Sequence, residues 1–152
     1  VNADRAVVEA VLEANTAFYA ALEDGDVDAM ERAWVPASEA DDRQGVICVH
    51  PGWPLLRGRA AVLRSYLLIM ANTEYIQFIL TDVEVEVVGE VALVTCVENI
   101  LSGGEPENEG ELGPLVGGKV VATNVFRRTP EGWRLWSHHG SPVLTPGPED
   151  EE

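Results

Sequence analysis

Basic residues are scarce in this chain: ten lysines and arginines stand against 26 aspartates and glutamates, for a formal charge of −16. A phosphate backbone needs a basic footprint, so the balance argues against a nucleic-acid partner. It argues equally against an anionic membrane surface. No apolar run approaches the length that spans a bilayer, and no secretory leader pattern appears, so a cytoplasmic location is the expectation. Only two cysteines occur, Cys48 and Cys96. Each lies in an apolar run and reads as a buried thiol acting as a small hydrophobe, not as a disulfide partner or metal ligand. Histidine is rarer than any acid, with three in the chain. Such scarcity makes placement informative. His138 and His139 lie side by side in Trp133-Arg134-Leu135-Trp136-Ser137-His138-His139-Gly140-Ser141-Pro142, and His50 opens His50-Pro51-Gly52-Trp53-Pro54.

A length of 152 residues fits one domain, long enough to bury roughly 70% of its unfolded surface without staples. Apolar residues recur at helical spacing through Val7, Val11, Phe18 and Leu22, which predicts a first helix from about Asp4 to about Glu23. Gly25 fits its stop, and Asp26 fits the cap of a short second helix with Val27, Met30 and Trp34 on one stripe. Ser38 to Gln44 reads as a polar loop and Gly45 to His50 as a short buried strand. A third helix is predicted from about Arg59 to about Ala71. The period then changes to two, giving four long strands: Ile76–Val88, Val91–Leu101, Lys119–Arg128 and Trp133–His139. Gly89-Glu90 and Pro130-Glu131-Gly132 are turn signals. Gly103 to Gly118, with Glu105, Glu107, Glu109 and Glu111, reads as a solvated hairpin tip. Residues 144–152 read as a disordered acidic tail, leaving 1–143 as the domain. Helices followed by a meander of antiparallel strands make an α+β fold, with the helices on one face of a curved sheet that forms an open-ended cone.

This order of elements, with Trp34 near the end of the second helix, resembles the nuclear-transport-factor-2-like superfamily. Val49-His50-Pro51-Gly52-Trp53-Pro54, then Arg57-Gly58-Arg59 opening a helix, is similar to its SnoaL-like branch. Thr123-Asn124-Val125-Phe126-Arg127-Arg128, followed by Gly132-Trp133 and His138-His139-Gly140-Ser141-Pro142, is similar to the same branch and to the calmodulin-dependent kinase association domain. The resemblance implies a cone-shaped α+β barrel with a pocket at its open end, and usually a homodimer built on the sheet. It also implies a small apolar pocket in which an Asp or His base acts on a small organic molecule. No clear tyrosine-plus-acid oxyanion pair is visible on the strands, which departs from the isomerase pattern of that superfamily.

The residues suggest a cofactor-free isomerase, cyclase or dehydratase acting on a small apolar molecule or a carboxylate. The alternative is a domain that only binds a ligand or assembles as a dimer. His138 is the expected base, because an imidazole exchanges protons near neutral pH. His50 is a second acid/base or an anchor for the turn that follows it. Asn99 and Asn124 would donate to an oxyanion. Tyr19, Trp34 and Trp53 would form flat walls, and Trp136 and His139 complete the set of ligand-contacting candidates. Strict alternation along the last strand puts Arg134, Trp136 and His138 on one face, and Trp133, Leu135, Ser137 and His139 on the other. On the second long strand, the apolar face is read as Val91, Leu93, Thr95, Val97, Asn99 and Leu101. Glu98, on the opposite face, is expected in a surface ion pair with Lys119, Arg127 or Arg128. Arg57 and Arg59 mark a weak anion site at a helix start. No metal is expected, because His50 and one C-terminal histidine lack a third ligand.

Overall fold

The computed structural model of the chain describes residues 4–37, 45–103 and 115–144. Helix α1 (Arg5–Asp24) starts at Asp4, whose carboxylate accepts from the Ala6 N–H at 3.1 Å. It ends at Gly25, whose φ of 62° lies where glycine alone is free of strain. Helix α2 (Val27–Ala33) is capped by Asp26, which accepts from the Ala29 N–H at 3.0 Å. Helix α3 spans Arg59–Ala71, as its apolar spacing predicts. The Arg59 guanidinium is not held open for an anion. It donates to the carbonyls of Glu31, Trp34 and Val35, which fastens the end of α2 to the start of α3.

Six strands form one mixed sheet: β1 (Ile47–Val49), β2 (Leu56–Arg57), β3 (Tyr75–Val88), β4 (Val91–Gly103), β5 (Leu115–Thr129) and β6 (Gly132–Pro142). Their order is β2-β1-β6-β5-β4-β3. The β1–β6 pair is parallel, and the others are antiparallel. The three helices pack on the concave face of this curved, unclosed sheet, as an α+β cone requires. β1 is shorter than the run Gly45 to His50, and β2 has no counterpart in the sequence reading. β5 begins at Leu115, so its first residues are strand where a loop was expected. The predicted loop at 38–44, the acidic tip at 104–114 and the tail from 145 onward lie outside the described residues.

The parity of β4 and a break in alternation on β6 decide what faces the core. On β4 the buried side chains are Ala92, Val94, Cys96 and Glu98, the opposite parity from that expected. Both faces of this strand are apolar, so periodicity alone does not choose between them. On β6 the register with β5 shifts between Val125 and Phe126: Phe126 pairs with Leu135, but Val125 pairs with Ser137. Trp136 is the extra residue of a β-bulge. The bulge lets Leu135 and His138 both point inward although they are three residues apart, and it turns His139 outward. Phe18, Trp34, Tyr66, Phe126 and Leu135 fill the core behind them. Each such side chain contributes about 1.5–3 kcal/mol by leaving water.

Candidate functional site

At the open end of the cone, α1, α3, β3, β4 and β6 surround a cavity of about 160 Å³. Its wall is mainly apolar, with Phe18, Leu22, Ile69, Ile76, Phe78 and Ile100, and the turn Pro51–Trp53 forms its rim. Five polar side chains interrupt that wall: Tyr19, His50, Tyr66, Glu98 and His138. A small apolar cavity with a few converging polar groups is the usual form of a ligand site.

The polar groups are not independent. His138 Nδ1 meets Asn124 Oδ1, an atom that can only accept, so the imidazole proton sits on Nδ1 and Nε2 keeps its lone pair. The Asn124 amide donates to Asn15 Oδ1 at 2.9 Å and to the Tyr19 hydroxyl at 3.1 Å. Tyr19 in turn donates to Glu98 Oε2 at 2.5 Å. The result is a one-way chain from His138 through Asn124 and Tyr19 to Glu98. Burial raises the Glu98 carboxyl from 4.5 to about 7, against the opposing effect of the Tyr19 bond. Burial lowers His138 from 6.5 to about 3, and the proximity of His50 and His139 adds to this. Burial and then the Glu98 charge push the Tyr19 phenol well above its ordinary value, so it stays a donor.

A second group lies beside the first. The Ser65 hydroxyl donates to the Val62 carbonyl at 2.6 Å, so it accepts from His50 Nε2 at 2.8 Å. His50 therefore carries its proton on Nε2, and burial lowers its pKa to about 4. The Cys48 thiol lies 3.6 Å from the Tyr66 hydroxyl and is pushed up to about 11 by burial. Trp53 meets the His50 ring edge-on with centroids 4.8 Å apart. Gly140 presses on the same turn: a Cβ there would come within 3.1 Å of Pro51 Cγ.

The structure brings His138, His50, Tyr19 and Trp53 to the cavity wall. It places five other sequence-predicted residues elsewhere. Asn124 is fully buried, and both its amide protons are engaged, so it sits behind His138 and cannot reach an oxyanion. Asn99 is on the convex face, donating to the Ile79 carbonyl and the Thr81 hydroxyl, because β4 has the opposite parity. Trp34 is in the core against Phe18 and Tyr66, with its indole N–H unpartnered. Trp136 occupies the bulge, 5.8 Å from the Arg127 guanidinium, and His139 is exposed. The residue missed in sequence is Glu98. It is 3% exposed and hydrogen-bonded to Tyr19, not paired with a surface cation. A tyrosine–acid hydrogen bond is present, but its tyrosine comes from α1 and not from a strand. A lone acid on the face Ala92-Val94-Cys96-Glu98-Ile100 was the available signal.

The model of the SnoaL-like domain family matches residues 11–145. A protein of the NTF2-like family from Streptomyces avermitilis, provisionally assigned as a dehydratase, is 63% identical, with a TM-score of 0.88 over 92% of this chain and 98% of that one. A Thiobacillus denitrificans protein, provisionally assigned as a calcium/calmodulin-dependent protein kinase type II association domain, is 28% identical. Its TM-score is 0.67 over 86% of this chain and 93% of that one. The F-box protein SKIP8 of Arabidopsis thaliana is 24% identical over 139 residues, 91% of this chain. The chain spans about half of that protein's length, 52%. Among the described residues, no helix is long and apolar enough to cross a membrane.

Proposed function

The chain belongs to the SnoaL-like family of the nuclear-transport-factor-2-like superfamily, and from that premise we propose that it catalyses proton transfer on a small organic molecule. The reaction is of the isomerase or dehydratase type. One observation carries the reading: a neutral imidazole whose lone pair is on Nε2 and a carboxyl group raised to about 7 line the same apolar cavity. Paired groups whose environments drive their pKa values apart are the usual signature of acid/base work. The 63% identity to a protein provisionally assigned as a dehydratase supports it.

In an elimination, His138 Nε2 takes the proton next to a carbonyl. The C–O bond to a β-hydroxyl breaks, and Glu98 supplies the proton with which that hydroxyl leaves as water. Proton return from His138 to Glu98 restores the site. In an isomerisation, the proton is put back at another carbon, and the Tyr19–Glu98 pair faces the developing oxyanion.

The test is solvent exchange at the carbon next to the carbonyl. 3-Hydroxycyclohexanone, a single-ring β-hydroxy ketone of a size suited to the cavity, is incubated in D2O and followed by NMR for deuterium uptake and for cyclohexenone. Wild type is expected to catalyse both. His138→Ala is expected to lose about 10²-fold or more of the exchange, and Glu98→Gln to lose elimination before exchange. A ligand that stabilises wild type with no exchange would leave a binding module instead.

We also propose that the convex face of the sheet pairs with a second copy of the chain. Ile79, Leu93 and Val121 stand exposed there on three adjacent strands.

A further inference from the structure

We infer that Asn15, which does not line the cavity, is a positioning residue that holds His138 in its Nδ1–H form by fixing the orientation of the Asn124 amide. The inference rests on the proton-transfer reading, since only a base needs its lone pair on a particular nitrogen.

The Asn124 side chain has an accepting end and a donating end, and either fits sterically beside a ring nitrogen. With its oxygen toward His138 Nδ1, the ring donates there and Nε2 is a base. With its NH2 group toward Nδ1, the ring accepts there and Nε2 carries the proton. The same residue is then a donor to the cavity and cannot take a proton from a substrate. Two contacts bear on the choice. The Tyr19 hydroxyl lies 3.1 Å from Asn124 Nδ2, but a hydroxyl both donates and accepts. Tyr19 resists reversal only while its own proton goes to Glu98 Oε2. A protonated Glu98 can donate back to Tyr19, and Tyr19 can then donate to Asn124. Asn15 Oδ1, at 2.9 Å from Asn124 Nδ2, accepts, and Asn15 offers a donor there only if its own buried amide turns over as well. Turning the Asn124 amide over alone would set two carbonyl oxygens face to face, so reversal needs both amides to turn together in a site where Asn15 is 2% exposed and Asn124 is 0% exposed. Water cannot relieve that clash, and an unmade buried hydrogen bond is costly. Asn15 therefore keeps the base in its working form even when Glu98 carries the proton that an acid needs. It does so from the middle of α1, while the ring it governs is on β6.

The experiment reads the tautomer directly. In 15N-labelled protein at neutral pH, two-bond 1H–15N correlations of the His138 ring are assigned by their loss in His138→Gln. Wild type is expected to show a single form protonated on Nδ1. Asn15→Leu, which removes the acceptor at similar volume, is expected to raise the Nε2–H population at least fivefold. Asn15→Asp, which keeps an acceptor in place, is expected to restore the wild-type form. Where Asn15→Leu does not fold, Asn15→Ser, too short to span the gap, takes its place with the same expected outcome. A wild-type ring protonated on Nε2, or an unchanged tautomer in the Leu or Ser variant, overturns the inference. Turnover plays no part in this readout, so the tautomer lock and the D2O exchange test can fail separately.

Discussion

Burial acts in opposite senses on the Glu98 carboxyl and on the rings of His50 and His138. The carboxyl rises from 4.5 to about 7, so the folded chain keeps a proton that the unfolded chain has already released. Its contribution to stability is complete below pH 4.5 and is lost as pH rises through 7. The two rings fall from 6.5 to about 4 and about 3, so theirs is complete above pH 6.5 and lost as pH falls. Comparing wild type with Glu98→Gln at each pH cancels the histidines. By urea unfolding, the variant is expected to gain about 3 kcal/mol on wild type between pH 4.5 and about pH 8.5, at about 1.4 kcal/mol per pH unit across the shifted range. A difference that stays flat with pH would mean that Glu98 titrates as a solvated carboxylate. Residue chemistry was partly legible in sequence: His50 and His138 stand out by scarcity, and both reach the cavity wall. Glu98 was hidden among 26 acidic residues, marked in sequence only as the lone acid on one apolar face of its strand.

Among the elements, the helices were readable because apolar spacing and caps agree: α3 matches its predicted span, and Asp4, Gly25 and Asp26 bound α1 and α2 as expected. The strands were readable as strands but not by face. β4 carries apolar residues on both sides, and β6 breaks its own alternation at Trp136. A bulge depends on the partner strand, so one strand's pattern does not contain it. This geometry makes an unusual deletion tolerable. Removing Trp136 closes the bulge and leaves Leu135 and His138 two positions apart in the shortened strand, both still inward. The deletion variant is expected to fold with a loss of about 1–3 kcal/mol, including the contact with Arg127, by denaturant unfolding. His138 should keep its bond to Asn124 in the ring spectrum. Loss of folding, or His139 appearing in its place, would show that the strand does not re-pair this way.

For the whole molecule, element order and the run of motifs were enough to read the α+β cone and its superfamily, because layer packing follows from which faces are apolar. The chain that joins His138 to Glu98 was not readable, since it crosses from β6 to β5 to α1 to β4, and sequence distance says nothing about that path. Self-association belongs to this scale as well. The proposed convex-face dimer predicts that wild type sediments as a dimer, and that Leu93→Glu shifts it to monomer with little change in the fold. A monomeric wild type at working concentrations would remove that reading. The neighbouring histidines of β6 have one more consequence. A strand that slips by one residue turns all its side chains over, so a slip of β6 would bring His139 inward for His138 but would also turn the buried Trp133 and Leu135 out. The doubled imidazole is thus a form of redundancy against movement of the bulge: displaced beyond His139, it would keep Leu135 inward and still leave an imidazole on the cavity side.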